Sequence, residues 1–256
     1  MHLVRRPEAE IELDTACLLI AARARPEVDP LTVVADGRAA LDRLAAGCPA
    51  PTVEALRTHL FATVGFTGNR HHYDDARNSY LDQVLARRTG IPITLAVVVL
   101  EVGRRLGLDL RGVGMPGHFL VGVGEGVYLD AFDNGRLLDE AACRRVLRDV
   151  LGANAPWDPA LLAPVGPLAI VGRVLANLRN AFETTQDLVG LDWVIELRLA
   201  LPDTPDTEHG LRASVLSSLG RYGEAASELE ELAAVSDSEV AEELRNRAAR
   251  LRAHLN

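Results

Sequence analysis

His118 and Asp130 are the two residues whose types and spacing best suit acid–base chemistry. They lie in two runs of alternating polarity, HFLVGV and VYLDA, which predict a β-hairpin around Gly124-Glu125-Gly126. If the pairing centres on Gly124, the two side chains face each other, and the carboxylate orients the imidazole and fixes its tautomer. The neighbouring register would separate them onto opposite faces. The alternative is a histidine with local hydrogen bonds only and an aspartate that opens the turn DAFDNG.

A second pattern, Gly112-x-Gly114-x-x-Gly117, matches the dinucleotide-binding fingerprint in letters alone. That fingerprint needs a helix that opens at the third glycine, so that its amide groups face the pyrophosphate. Here Pro116 precedes the third glycine and a strand-like run follows it. Nucleotide binding is therefore not predicted.

A third group, His71, His72, Asp74 and Asp75, could be imagined as metal ligands. Adjacent histidines usually point in different directions, and no HExxH or similar spacing supplies a partner. We predict that these histidines face solvent in a loop, and that the protein has no metal site and no cofactor.

Composition limits the function classes. The chain has 36 acidic and 27 basic residues and a net charge of -9, so nucleic acid is not an expected partner. It contains no lysine, which removes Schiff-base chemistry and the lysine of a phosphate-binding P-loop. Three separated cysteines, Cys17, Cys48 and Cys143, argue against a disulfide framework or a thiolate zinc site.

No membrane segment or export signal is predicted. The longest apolar run, residues 91–100, falls short of the roughly 20 residues that a membrane helix needs. The opening MHLVRRPEAE has no apolar signal-peptide core. We therefore expect a cytoplasmic protein.

Periodicity predicts the elements that must position these residues. Four helices are expected first, over residues 10–25, 31–46, 52–61 and 80–88. A polar loop, GFTGNRHHYDDARNSY, lies between the last two, and loops of that length are often functional. The run ITLAVVVLEVGRRLG after Pro92 suits a helix, but its β-branched Val97-Val98-Val99 equally suits a buried strand.

The second half of the chain is predicted to be mostly helical. A short strand is expected at residues 110–113, then the hairpin, then helix from Arg136 to Gly152. A proline-rich connector covers residues 155–167, and we place the domain boundary there, giving domains 1–160 and 161–256. Helices follow to the end, with a capping box at Ser236-Asp237-Ser238-Glu239.

Four motifs are specific enough to indicate a family: Arg77-Asn78-Ser79-Tyr80-Leu81, Gly90-Ile91-Pro92-Ile93-Thr94-Leu95, Pro116-Gly117-His118-Phe119 and the turn at Asp130. With them, the sequence resembles the bacterial SirB family over essentially the whole chain from Ile11. The resemblance implies a mainly helical α+β protein with a transglutaminase-like, papain-related core and a small antiparallel sheet. It also implies a tetratricopeptide-like helical tail, with LGRYGEAASELEEL similar to half of one such unit.

In that family fold a cysteine opens a buried helix and is activated by a histidine and an aspartate on adjacent strands. The resemblance places the histidine on His118, the aspartate on Asp130 and the cysteine on Pro92, so the thiol is missing. A shift of two residues substitutes Thr94, whose hydroxyl is a far weaker nucleophile.

Two functions remain open. The first is a binding surface for another protein or peptide, in regulation rather than in transferase chemistry on glutamine, with polar contacts from Arg77, Asn78, Ser79, His118 and Asp130. The second is a hydrolase, an amidase or peptidase, that uses Thr94, Ser79 or a water activated by His118.

The tail would add a protein-binding surface of its own, because tetratricopeptide units stack helix pairs into concave surfaces. The sequence departs from the family at Thr207-Glu208-His209-Gly210, where a charged Arg-Asp-Arg-Gly stretch is expected. Arginine-mediated contacts are therefore not predicted there. Arg173 and Asn177 match the family, and we expect this pair, one turn apart, to join the tail to the first domain.

Overall fold

The computed structural model describes residues 11–202 and 204–254. These residues divide into two compact units, 11–174 and 175–254, and the division falls within one helix. The predicted domains, 1–160 and 161–256, place the boundary earlier, in the proline-rich connector. Glu10, the first residue of the first predicted helix, lies outside the described residues.

The described part of the first unit contains six α-helices and the start of a seventh: α1 Leu13–Arg23, α2 Pro30–Ala46, α3 Val53–Arg57, α4 Leu81–Arg87, α5 Pro92–Arg105 and α6 Glu140–Leu151. A π-helical segment, Thr58–Val64, continues α3. The predicted helices at residues 31–46 and 80–88 are confirmed to within one residue at each end.

Helix α5 is the centre of this unit. Every residue from Pro92 to Gly103 is buried, and the helix packs against α1 to α4 and against two strands of the sheet. Proline suits its first position, because the amide of that position has no partner within the helix. The backbone amide of Ile91 donates to Oγ1 of Thr94 at 3.2 Å, which caps the helix. The helical interpretation of this apolar run is thus confirmed over the strand alternative.

The five-stranded sheet of the first unit is antiparallel, in the order β6-β5-β4-β3-β7. Its strands are β3 Arg111–Val113, β4 Leu120–Gly124, β5 Val127–Asp130, β6 Arg136–Leu138 and β7 Pro164–Val165. Two further short strands, β1 Thr67–Gly68 and β2 Thr89–Gly90, pair in parallel and bring the loop after β1 next to the start of α5.

Strands β6 and β7 correct the sequence prediction. The helix predicted from Arg136 begins only at Glu140, because the side chain of Asp139 accepts the amide of Ala142 at 2.7 Å and caps it there. The connector was predicted without a strand, yet Pro164–Val165 pairs with β3 at the edge of the sheet. An edge position tolerates proline, which lacks the N–H of a ladder.

A buried cluster of charges joins α1 to α5. Asp14 is fully buried and accepts a hydrogen bond from Nη2 of Arg105 at 2.7 Å. Nη1 of the same guanidinium donates to Oε2 of Glu101 at 2.7 Å. Burial alone would raise the pKa of Asp14, but the hydrogen bond from Arg105 and the charge of Arg38 outweigh it and hold that pKa below its ordinary value.

The second unit is helical. It contains the end of α7 (Pro167–Thr185), with α8 Leu188–Leu199, α9 Thr207–Ser218, α10 Tyr222–Val235 and α11 Ser238–Ala253. Neighbours in sequence pack against each other from α8 to α11. The predicted capping box at Ser236 to Glu239 does not form: the N-cap of α11 is Asp237, and its side chain makes no capping hydrogen bond.

Within the stretch Thr207 to Gly210, Glu208 is buried in the second unit and Thr207 is exposed. Glu208 is only 4% exposed, and its Oε1 accepts from Arg179 at 2.7 Å and from Arg198 at 2.8 Å. Nδ1 of His209 lies 2.7 Å from Oε2 of Glu228. The residues that depart from the family pattern therefore make ion pairs and hydrogen bonds within this unit.

None of the helices within residues 11–202 and 204–254 combines the length and apolar character that crossing a bilayer requires.

Candidate functional site

His118 and Asp130 form a buried pair in the first unit. Nε2 of His118 lies 2.9 Å from Oδ2 of Asp130, and the residues are 7% and 4% exposed. The other carboxylate oxygen accepts the backbone amides of Phe132 at 3.0 Å and Asp133 at 3.1 Å. An ionised carboxylate only accepts hydrogen bonds, so the proton of a neutral His118 sits on Nε2 and Nδ1 carries the lone pair. Nδ1 has no hydrogen-bond partner among the described residues.

The pair forms in a register that differs from the predicted one. Val121 pairs with Leu129 and Gly122 with Tyr128, and a β-bulge separates Gly122 from Gly124. Continuing this ladder places Leu120, and not His118, opposite Asp130. The prediction of direct pairing about Gly124 is therefore wrong.

His118 instead reaches Asp130 from the turn before β4, where its amide donates to the carbonyl of Met115 at 3.2 Å. Gly117 supplies the left-handed conformation of this turn, with φ of 70°. His118 lies two residues before Leu120, the residue opposite Asp130. Because side chains alternate with a period of two, His118 and Asp130 still share one face of the hairpin and meet diagonally.

Aromatic and cationic side chains surround the imidazole. The ring of Phe132 stands edge-on to the ring of His118, with centroids 6.2 Å apart, and edge-on to the ring of Tyr73, at 6.0 Å. The guanidinium carbon of Arg70 lies 4.7 Å from the centroid of Phe132. These contacts connect the polar loop after β1 to the His118 and Asp130 pair.

Gly68 allows the polar loop after β1 to lie close to Phe132, and a substitution at Gly68 tests this contact. A Cβ at Gly68 would lie 2.5 Å from the ring of Phe132 and 2.7 Å from its carbonyl oxygen. We expect Gly68→Ala to lower the free energy of unfolding in urea by about 1–3 kcal/mol, because the backbone of Phe132 has to move. Gly114→Ala is the control, since its Cβ would meet its nearest neighbour at 3.5 Å and should cost little. Equal stability of the two variants would contradict the prediction.

An apolar rim, defined as Tyr73, Val150 and Leu151, flanks the histidine. These residues are 41%, 46% and 52% exposed. Val150 and Leu151 lie against the turn at Gly117, where a Cβ would come within 2.4 Å and 3.4 Å of them. Burial raises the pKa of Tyr73, and its phenol therefore stays neutral at pH 7. The rim offers apolar contact area at the turn that precedes the histidine and at the ring of Phe132, which packs on the imidazole.

Arg77, Asn78 and Ser79 are placed differently from one another. Arg77 is exposed, and its guanidinium is bound to Asp75 at 2.7 Å. Asn78 is fully buried: its Nδ2 donates to the carbonyls of His72 and Tyr73, at 2.7 Å and 3.2 Å, so it organises the loop. Ser79 is 3% exposed. Their role as binding residues stays a prediction.

Thr94 has a structural task at the start of α5. Its hydroxyl lies 2.7 Å from the carbonyl of Asn78, to which it donates, and its oxygen accepts the amide of Ile91. In the described part of the chain, neither Thr94 nor Ser79 makes a hydrogen bond to His118. Pro92, at the position that corresponds to the family's cysteine, is the first residue of the buried helix.

The three cysteines lie elsewhere. Burial, with the charges of Glu101 and Asp14, raises the pKa of the Cys17 thiol in α1. Burial, with the charges of Asp139 and Asp130, raises the pKa of Cys143 to about 11. Sγ of Cys48 lies 3.3 Å from the carbonyl of Ala50. None of the three makes a hydrogen bond to His118 among the described residues.

His71 and His72 are exposed in the loop after β1. Within the described residues, the one group with the spacing of metal ligands is in the second unit: His209, Glu228 and Glu231, whose ligand atoms lie within 4.8 Å of one another. Nη1 of Arg212 already contacts Glu228 at 2.5 Å, so a guanidinium neutralises that carboxylate.

A buried helix that begins at the motif Gly-Ile-Pro, with a histidine in the turn before one strand and an aspartate at the end of the adjacent strand, is the arrangement expected of a transglutaminase-like protein. Residues 9–176 match the transglutaminase-like superfamily, and the chain belongs to it. The site lies entirely within the matched residues.

The chain is also similar to curated proteins of bacteria and of mammals. It is 46% identical over 187 residues to a UPF0162 protein of Xylella fastidiosa (strain Temecula1), covering 66% of each chain. It is 34% identical over 166 residues to a UPF0162 protein of Vibrio cholerae, covering 62% of this chain and 59% of that one. Similarity to F-box only protein 21 of Mus musculus, 34% over 137 residues, covers only 21% of that protein. The chain thus spans less than two thirds of these relatives, and the UPF0162 similarity supports the resemblance to the SirB family.

Proposed function

We propose that the protein recognises a segment of another protein or a peptide at His118, without a covalent step. The observation that supports this most directly is the free Nδ1 of a buried, carboxylate-oriented imidazole beside an exposed apolar rim. A polypeptide carries both features that such a site would contact: backbone N–H groups and apolar side chains.

The polar part of the recognition depends on Asp130. Its carboxylate keeps the proton on Nε2, so Nδ1 stays an acceptor for an N–H or O–H group of the ligand. The apolar part depends on Tyr73, Val150 and Leu151, which together expose more hydrophobic surface next to one polar group than scattered surface residues do.

The groups near the start of α5 support a function without a covalent step. Pro92 has no nucleophilic atom, and the hydroxyl of Thr94 is engaged with the carbonyl of Asn78. A threonine hydroxyl is unreactive without an adjacent base, and Thr94 makes no hydrogen bond to His118 in the described residues.

Hydrolysis by an activated water is the second candidate. The geometry that favours it is the same unpartnered Nδ1, because a neutral imidazole oriented by a carboxylate is the usual general base. In that case the protein would be an amidase or peptidase that cleaves the polypeptide bound at His118.

One experiment separates the two. The full chain is used to select ligands from a random peptide library, and the bound peptides are examined by mass spectrometry after prolonged incubation. We expect intact peptides whose affinity falls about tenfold or more in His118→Ala and in Val150→Ser/Leu151→Ser. Leu137→Ser, which changes an equally exposed residue on the edge strand β6, is the matched control and should bind as the wild type does.

Two other outcomes are informative. If the wild type cleaves the bound peptides and His118→Ala leaves them intact, the protein is a hydrolase and the binding-only proposal is wrong. Peptides whose affinity is unaffected by both sets of changes would place recognition somewhere other than at His118.

We also propose that the tail is tetratricopeptide-like and that the protein acts in regulation in the bacterial cytoplasm. Sequential packing of helices from α8 to α11 supports the first point. Similarity to bacterial proteins supports a bacterial setting.

A further inference from the structure

Two of the three arginines of α11 that lack a counter-ion among the described residues line a cleft, in a unit where most arginines are paired; the third, Arg245, lies outside that cleft. Arg247 and Arg250 make no ion pair and no hydrogen bond with any described residue. Five other arginines of the second unit each lie within ion-pair distance of a carboxylate: Arg179, Arg198, Arg212, Arg221 and Arg252. Arg247 and Arg250 therefore bring two unpaired guanidinium groups to one cleft of an acidic protein.

Both arginines line one cleft of about 370 Å³ between α9 and α11. Six residues form most of its walls: Ser214, Ser217, Arg247, Arg250, Leu251 and His254. The ring of His254 stacks on the ring of Tyr222, with centroids 4.9 Å apart, which fixes its position at the end of α11. Leu229 contributes to the cleft from α10, so the cleft combines apolar surface with cationic groups.

We propose that this cleft binds a segment of another protein that is rich in aspartate and glutamate. Guanidinium groups bind carboxylates through two parallel hydrogen bonds, and unpaired ones are ready to do so without first breaking an internal ion pair. Leu229 and Leu251 would contact the aliphatic stems of the acidic side chains. Because the net charge of the chain is -9, such a segment is attracted by this local feature and not by the protein as a whole.

The test uses the full chain and a fluorescein-labelled peptide of eight glutamates, with binding followed by fluorescence anisotropy. We expect saturable binding that weakens as salt is added, and a loss of about tenfold or more in Arg247→Gln/Arg250→Gln. Arg245→Gln removes the same charge from the same helix but outside the cleft, and should bind as the wild type does. His118→Ala should also leave this binding unchanged, which separates it from recognition in the first unit.

A second variant acts without removing an arginine. Ser217→Asp places a carboxylate opposite Arg247 and Arg250 and should weaken binding of the octaglutamate to a similar extent. Thermal unfolding of each variant identifies changes in affinity that come from loss of the fold. The proposal is wrong if the octaglutamate does not bind the wild type, if Arg245→Gln weakens it as much as the double variant, or if octaglutamine binds equally well. Tighter binding of a single-stranded DNA oligonucleotide at the same cleft would overturn it in favour of nucleic acid.

Discussion

Arg105→Met should lower the free energy of unfolding by about 3–5 kcal/mol, the largest single effect expected for this chain. The guanidinium of Arg105 donates to Asp14 and Glu101 at 2.7 Å each, and these carboxylates are 0% and 4% exposed. Methionine replaces the aliphatic stem but removes the closest guanidinium of both buried carboxylates. Among the described residues, Glu101 then keeps only the largely exposed Arg104 as a cationic partner. Asp14 keeps, among the same residues, only the more distant Arg38 and Arg104. Urea denaturation at pH 7 measures the loss.

Arg104→Met is the matched control. Arg104 lies on the same helix and approaches the same two carboxylates, Glu101 at 2.9 Å and Asp14 at 3.5 Å, but its side chain is 58% exposed. Because the guanidinium of Arg104 is largely solvated and Arg105 still pairs with both carboxylates in this variant, its loss should cost only about 1 kcal/mol. Similar losses in the two variants would show that burial of Arg105 is not the cause.

The pH dependence of the loss has a definite sign. In the wild type the pKa of Asp14 is lowered, so its stabilising contribution is present above the unfolded-state pKa and is lost as pH falls through the folded-state value. Without Arg105, burial dominates and raises that pKa, so the variant regains stability when Asp14 becomes protonated. The difference between wild type and variant should therefore shrink as the pH is lowered from 7 into the carboxyl range.

Asp130→Asn should reverse the tautomer of His118. In the wild type Nε2 donates to Oδ2 of Asp130, while Oδ1 accepts the amides of Phe132 and Asp133. An asparagine that keeps its oxygen toward those amides presents an NH₂ group to Nε2, which must then accept. The proton moves to Nδ1, and the acceptor that we assign to the ligand is lost.

Nitrogen-15 NMR of the imidazole distinguishes the two tautomers, and nearly complete conversion is expected. The peptides selected by the wild type should bind about tenfold or more weakly to Asp130→Asn. Asp133→Asn is the control, because the side chain of Asp133 is 40% exposed and does not contact the ring. Retention of the Nε2–H form in Asp130→Asn would contradict the assigned hydrogen-bond direction.

Helix positions could be predicted from the sequence because apolar periodicity and proline act locally. Helix α2 is a clear case, since residues 31–46 were expected and Pro30–Ala46 is observed. The run after Pro92 also suited a buried strand, because all residues from Pro92 to Gly103 are buried and periodicity is weak there. Strands β6 and β7 have only three and two residues, too few for a period of two to be detected. The register of the hairpin depends on a bulge between Gly122 and Gly124, and alternation alone does not reveal where a bulge falls.

The site was predictable to a similar degree. The motif around His118 and the turn at Asp130 identified the pair, but its apolar rim was missed. Val150 and Leu151 end an amphipathic helix, and nothing in their spacing indicates that α6 brings them to the turn at Gly117. Phe132 and Tyr73 are aromatic residues in otherwise polar loops, and this was the one sequence feature that could have indicated that they lie at the site.

Asn78 shows why polar residues in a functional motif are hard to interpret. The side-chain amide of Asn78 points into the protein and donates to two carbonyls of its own loop. The sequence around it, with Arg77 and Ser79 on either side, does not indicate this burial. Burial of that amide depends on the meeting of the loop with α4 and α5, and contacts between distant segments leave little trace in a single sequence.

The protonated state of the buried thiols has a consequence for oxidative stress. Peroxides and electrophiles attack thiolates, and burial raises the pKa values of both Cys17 and Cys143, which also removes them from solvent. An enzyme with a catalytic thiol loses activity when that sulfur is oxidised, whereas the recognition that we propose uses an imidazole nitrogen and no sulfur atom. We therefore expect peptide binding at His118 to persist after treatment with peroxide.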